Sequence, residues 1–319
     1  PLSGSIECLY QRSRAESGVS ESHQKNTKVE NSAFAAEITE NGQGVTSMKK
    51  IDMGDFVVGG KRGFVLIAGP CVLETEEAAL DIAQYLQKLT RRLDIPFIFK
   101  ASYDKANRTS VNSYRGPGAE KGLAMLKRIK EKLAIPVLSD VHRFEEIDPA
   151  AKVLDILQVP AFLCRQTDFV MEVARKSRVI NVKKGQFLAP GDVANIIAKA
   201  KAAGNDNIMI TERGTSFGYN NLVFDVRALP VMRRMGHPVI FDATHAVQLP
   251  GGMGTSSGGQ REMVAYLARA AAAAEVDGIF LEVHGNPDAA LCDGANSLAL
   301  DSLEELLTML KKIDKIVKG

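Results

Sequence analysis

The 319-residue chain has no tryptophan and only four cysteines, and its basic and acidic side chains nearly cancel. Each shortage excludes something. Cys8, Cys71, Cys164 and Cys292 stand far apart with no CxxC pair. Neither a disulfide scaffold nor a zinc finger is therefore indicated, and a reducing, cytoplasmic setting is expected. Lys plus Arg number 40 against 38 Asp plus Glu. That balance lacks the basic excess of a nucleic-acid or membrane-surface binder, so neither partner is expected. No uninterrupted apolar run approaches the roughly 18 residues of a membrane-spanning helix. Hydrophobic residues at 45% and charged residues at 24% still supply material for one large domain or two small ones.

Residues 1–47 read differently from the rest. They are rich in Ser, Glu, Asn and Gly, follow no helix or strand period, and precede the first methionine, Met48. Glu7, Glu16, Glu21, Glu30, Glu37 and Glu40 count against a transit peptide, which is poor in acids. The segment is expected to be a disordered extension or an upstream remnant, with a short tethered recognition arm as the alternative. Residues 48–319 are expected to form the folded domain.

From residue 64 a pattern repeats. Apolar runs stand at Phe64–Ala68, Pro96–Phe99, Ile135–Leu138, Val153–Leu157, Val179–Val182, Ile208–Ile210, Pro238–Phe241 and Gly278–Leu281, and after the first each is followed at once by a polar or charged residue. Runs without alternation suit parallel strands buried on both faces. Amphipathic stretches such as Glu74–Arg92, Gly118–Leu133, Gly191–Ala203 and Gly259–Ala274 separate them. Eight strand–helix units in about 250 residues predict a single (β/α)8 TIM barrel, with a minimal helix in the short third crossover. An open doubly wound sheet is the alternative. Gly69-Pro70-Cys71 after the first run, however, is not the GxGxxG dinucleotide turn.

Active sites of such barrels lie at the C-terminal strand ends. There the chain places Cys71, Lys100, Asp140, His142, Gln158, Lys183, Glu212, Arg213, Asp242, His245, Glu282 and His284. Lys100, Lys105, Arg108, Arg165, Lys183 and Arg213 would repel one another unless anions bind, which predicts phosphorylated or carboxylated small molecules. Cys71, His245, Glu282 and Asp293 are all metal-ligand types, and closure of the barrel brings the first, seventh and eighth strand ends together. The mixed donor set suits Zn²⁺, Fe²⁺ or Mn²⁺. Taken singly, Cys71 would more often be a small buried hydrophobe.

The segments AGPCVLE (68–74), FKASYDKANRTSVNSYRGPG (99–118), SDVH (139–142), QVPAFLCRQTD (158–168), INVKKGQF (180–187), TERGTSFGYNNLVFD (211–225), FDATHAVQ (241–248), LEVH (281–284) and CDG (292–294) resemble one family. It is the 3-deoxy-manno-octulosonate 8-phosphate synthases, also called 2-dehydro-3-deoxyphosphooctonate aldolases. The resemblance spans about residues 50–319. The related seven-carbon synthases typically carry a KPRT-type motif where this chain has KANRTS.

The resemblance implies a transferase of lipopolysaccharide or cell-wall sugar biosynthesis. Its members condense phosphoenolpyruvate with arabinose 5-phosphate and water, releasing inorganic phosphate. Phosphoenolpyruvate would be held by Lys100, Lys105, Lys183 and Arg213, near Gln158 and the Ala161 backbone. Arabinose 5-phosphate would lie along Asn107, Arg108 and Thr109, where the family usually has serine at the last position. Arg165 would reach its phosphate from a neighbouring subunit of a homotetramer. The cysteine at position 71, asparagine in the metal-free branch, implies the metal-dependent branch, with Cys71, His245, Glu282 and Asp293 as ligands. His142, Asp140 and Asp293 are candidates for proton relay, with Lys100, Lys105 and His245 beside the reacting atoms. Two rivals remain: a Schiff-base aldolase using Lys100 or Lys183, and a non-catalytic phosphosugar sensor.

Overall fold

A computed structural model describes residues 47–60, 63–252 and 257–319. The segment expected to be a disordered extension lies, but for Ser47, outside the described residues. Among those described, eight parallel strands pair in chain order: β1 (Val65–Gly69), β2 (Phe97–Lys100), β3 (Val137–Asp140), β4 (Ile156–Val159), β5 (Val179–Lys183), β6 (Ile208–Glu212), β7 (Val239–Asp242) and β8 (Gly278–His284). β8 pairs with both β7 and β1, with Ile240 opposite Gly278 and Ala68 opposite Leu281, and this closes the circle. Around it run α1 (Glu76–Arg92), α2 (Ala119–Leu133), α3 (Phe144–Ala151), α4 (Thr167–Lys176), α5 (Val193–Ala202), α6 (Ala228–Arg233), α7 (Val264–Ala273) and α8 (Leu303–Lys318). The architecture is the expected (β/α)8 barrel, and α3 is the short third crossover. Among the described residues no helix is long and apolar enough to cross a membrane.

Several strands begin later than their apolar runs and end on the polar residue that follows. Pro96, Pro136 and Pro238 lack the N–H a ladder needs, so pairing starts at Phe97, Val137 and Val239. Lys100, Asp140, Lys183 and Asp242 are the last residues of their strands, and Gln158 is the last but one.

All residues of β1 to β7 are buried, yet successive side chains point to opposite sides of the wall. Leu66, Phe97, Phe99, Val137, Ile180, Ile208 and Phe241 face the helices. Val65, Ile67, Ile98, Leu138, Ile156, Val179, Met209, Ile240 and Phe280 fill the lumen. A hairpin of Ile51–Asp52 against Val57–Val58 adds Ile51, Met53 and Val58 to that inner cluster and plugs the N-terminal end of the barrel. One step further along every strand but β1, where Gly69 stands, the inward positions turn polar.

Gly69, the last residue of β1, is required by proximity. A Cβ there would stand 1.9 Å from the Lys100 carbonyl oxygen. Gly191 has nothing within 4 Å of the same construction. Gly69→Ala should therefore lower stability by about 2 kcal/mol or more, whereas Gly191→Ala should stay within about 0.5 kcal/mol of the parent. Urea denaturation of the two variants checks this, and equal midpoints would contradict the close approach.

Candidate active site

The upper layer of the lumen opens into a cavity of about 190 Å³. Lys100, Asp140, Gln158, Lys183 and Arg213 line it from the ends of β2 to β6. Lys105, Asn107, Arg108 and Thr109 come from the loop between β2 and α2, His142 follows β3, Ala161 follows β4, and His245 follows β7. Asp293 arrives differently. The chain leaves β8 at His284 and returns at Leu298–Ala299, which pairs with Val283–His284, so the intervening loop folds back over the rim. Arg261 holds that loop through the Gly294 carbonyl, and Asn296 Nδ2 donates to the Thr244 carbonyl at 3.0 Å.

The buried charges are distributed in opposed pairs. Lys100 Nζ lies 3.0 Å from Glu282 Oε1, with Lys105 Nζ 3.8 Å from the same atom. Lys183 Nζ donates to Asp242, and both lysines sit over the Phe280 ring at 5.5 and 4.1 Å. Burial lowers the Lys183 pKa, against the attraction of Asp242. Ser102 Oγ accepts from Lys100 at 3.0 Å and donates to Asp140. Arg213 Nη1 is buried with no protein partner, as is Arg108 Nε. Unsatisfied guanidinium donors facing a cavity suit an anionic ligand.

His142 is clamped between carboxylates. Its Nε2 is 3.0 Å from Asp140 Oδ2, and its Nδ1 is 3.8 Å from Glu146 Oε2, an ion-pair separation rather than a hydrogen bond. Tyr103 donates to the same Glu146 oxygen at 3.0 Å. Burial disfavours the imidazolium, but Asp140 and Glu146 outweigh it and push the His142 pKa up to about 9.

The four expected metal ligands are divided between two groups that share Asp293, one of which also takes in Cys292. Cys71, Cys292 and Asp293 make one, His245, Glu282 and Asp293 the other, and ligand atoms within each lie within 4.8 Å of one another. Asp293 Oδ2 links them, 3.3 Å from Cys71 Sγ and 3.7 Å from His245 Nε2. His245 Nδ1 is 2.7 Å from Asp242 Oδ2, so an N–H there turns the Nε2 lone pair toward Glu282 and Asp293. Glu282 Oε2 is fully buried without a hydrogen-bond partner. Burial opposes its ionisation, yet His245, Lys100 and Lys105 hold its pKa at about 2. A thiol, an imidazole and two carboxylates with an orphaned oxygen fit a divalent cation.

Of the residues expected at the substrate site, Arg165 alone does not line this cavity. It is exposed, in a shallow depression beside His142 and Phe144. Two residues expected at the rim are elsewhere. Glu212 points outward, where its carboxylate meets buried Lys184 at 3.5 Å, because the alternation that turns Arg213 inward turns its neighbour out. His284 lies 3.6 Å from Glu74 and bonds the Asn286 backbone. Ser102, Gln186, Gln248 and Cys292 line the cavity without having been singled out. Ser102 could have been found two residues after Lys100, and Cys292 beside Asp293. Cys292 Sγ is 3.0 Å from Cys71 Sγ and accepts from Arg108 Nη1 at 2.6 Å.

Residues 27–319 match the DAHP synthetase I family, and the chain belongs to it. Within that class, a curated 2-dehydro-3-deoxyphosphooctonate aldolase of Geotalea daltonii is 61% identical over 271 residues, covering 85% of this chain and 100% of the relative. Proteins of the same name from Geobacter metallireducens and Desulfosudis oleivorans are 62% and 63% identical over 270 and 264 residues. Those alignments cover 85% and 82% of this chain and 99% and 95% of the relatives.

The His142 clamp has a pH signature. A raised folded-state pKa contributes stability fully below the ordinary value of 6.5, and that contribution is lost as pH rises through about 9. An NMR titration should place the His142 midpoint near 9, and Glu146→Gln should lower it. A parent midpoint at 6.5 would contradict the clamp.

Proposed function

We propose that the protein is the transferase that condenses phosphoenolpyruvate with arabinose 5-phosphate and water, giving 3-deoxy-manno-octulosonate 8-phosphate and inorganic phosphate. The observation that carries this reading is one cavity in which unsatisfied cationic donors stand beside a mixed thiol, imidazole and carboxylate set. Relatives named for the eight-carbon product support it.

Lys100, Lys105, Lys183 and Arg213, with Gln158 and the Ala161 backbone, hold the phosphate and carboxylate of phosphoenolpyruvate. Gln158 Oε1 accepts from Asn181 at 2.8 Å, which leaves its amide N–H groups for substrate. Asn107, Arg108 and Thr109 orient the sugar, and Arg165 reaches the sugar phosphate from a neighbouring copy in a homotetramer. C3 of the enol attacks the aldehyde carbon, forming the new C–C bond, while water adds at C2. The hemiketal phosphate then collapses, breaking its C–O bond to release phosphate. His142, kept cationic by Asp140 and Glu146, is placed to donate a proton, and Asp140 and Asp293 to accept one. Cys71, His245, Glu282 and Asp293 hold a divalent cation of the Zn²⁺, Fe²⁺ or Mn²⁺ type. When bound it supplies Lewis-acid polarisation of the aldehyde and a more acidic water. The setting is the cytoplasm, with no nucleic-acid or membrane partner.

Phosphate release should be far faster with arabinose 5-phosphate than with erythrose 4-phosphate, and a clear preference for the shorter sugar would sink the substrate assignment. Exhaustive chelation should abolish turnover, with Zn²⁺, Fe²⁺ or Mn²⁺ restoring it to different degrees. Cys71→Ala should retain less metal by elemental analysis. Full parental activity at negligible metal content would make Cys71 a structural thiol. Light scattering that finds a fully active monomer would exclude the shared role of Arg165.

A further inference from the structure

Gln248 stands between the cation assigned to phosphoenolpyruvate and the metal-ligand set. Its Oε1 accepts from Arg213 Nη2 at 3.0 Å, and its Nε2 donates to Asp293 Oδ1 at 3.0 Å. A guanidinium only donates and a carboxylate only accepts, so these two partners define which end of the amide faces which. Each partner has a second atom that Gln248 does not touch. Asp293 turns Oδ2 toward Cys71 and His245, and Arg213 Nη1 is buried with no protein partner.

The backbone beneath the amide is pinned on both sides. Gln248 N–H donates to the His245 carbonyl, closing the short turn that carries His245. Gln248 also pairs antiparallel with Gly259, and Gln260 N–H donates to the Val247 carbonyl at 3.0 Å. Asp293 is held in a left-handed backbone conformation at φ 50°, which fixes the side of the loop from which its carboxylate approaches. A side chain one methylene shorter, on the same backbone, would not span both partners.

We propose that Gln248 is a positioning residue that couples metal binding to phosphoenolpyruvate binding by holding Asp293 and Arg213 through one amide. The proposal rests on the metal and substrate assignments above. Fixing Arg213 on a phosphate orients the amide and, through it, the Asp293 oxygen that faces the metal site. The converse follows by linkage: each ligand must tighten the other by the same factor. A residue that merely filled space would support folding and each affinity without linking them.

The test is calorimetric titration of chelator-stripped protein with Mn²⁺ alone, with phosphoenolpyruvate alone, and with each in the presence of the other. Mn²⁺–phosphoenolpyruvate association in buffer is subtracted. The parent should show mutual tightening. Gln248→Leu should weaken each ligand about tenfold, the scale of one lost hydrogen bond to a charged group, and abolish the mutual tightening. Gln248→Asn, which keeps the polarity but not the span, should also lose the coupling, and it decides the matter if the leucine variant does not fold. Independent binding of the two ligands by the parent would overturn the proposal while leaving both assignments standing. So would parental coupling in a folded variant. A parent that binds no Mn²⁺ would overturn the metal assignment and the coupling with it.

Discussion

Charge delivered into the upper half of a closed barrel has to be neutralised there, and that constraint organises the site. The ammonium groups of Lys100 and Lys183 rest on the Phe280 ring, immediately above an apolar lumen. An unpaired ion at that depth would cost several kcal/mol, about the effective penalty of burying one charge. Lys100 is met by Glu282 and Lys183 by Asp242, in each case across an intervening strand. For the first pair the intervening residue is Gly69, opposite Glu282 in the ladder and too close to the Lys100 backbone to carry a Cβ. The GPC segment is thus a steric requirement of the charge pairing beside it.

The same wall separates chemistry from support. Lys183 faces the cavity while Lys184, its neighbour, is buried among the Gly185 and Leu188 carbonyls and Glu212. Arg213 faces the cavity while Glu212 turns away and accepts from the Gly214 N–H at 2.7 Å. Two adjacent charged residues on one strand end therefore do different work. One presents charge to a ligand, and the other ties the strand end to the loop that follows.

Around this core the site is completed by loops. The 101–117 segment brings Lys105 and Arg108, and the 285–297 loop brings Cys292 and Asp293. Arg108 contacts Cys292, Lys105 approaches Glu282, and Gln248 joins Arg213 to Asp293. Side chains expected to serve the sugar, the enol phosphate and a metal are in contact with one another. Arg165 stands apart, exposed on the segment after β4 in a shallow depression beside His142 and Phe144 rather than in the cavity.

Repeating apolar runs followed by polar residues and separated by amphipathic stretches were enough to give the barrel, since strands buried on both faces carry a continuous hydrophobic signature. Polar residues after the apolar runs pointed to the rim cations and carboxylates, and the resemblance carried by KANRTS, NVKKGQF and CDG pointed to those on the loops, which no strand pattern reaches. Direction was not legible. Glu212 and Arg213 are adjacent letters, and only the register of β6 in the closed sheet decides which faces the lumen. Contacts across the barrel were not legible either: Lys100 and Glu282 are separated by 182 positions, Cys71 and Cys292 by 221. Sequence sets which groups exist and the period on which they alternate. Closure of β8 onto β1 sets which groups meet, because a circular sheet makes neighbours of its first and last strands.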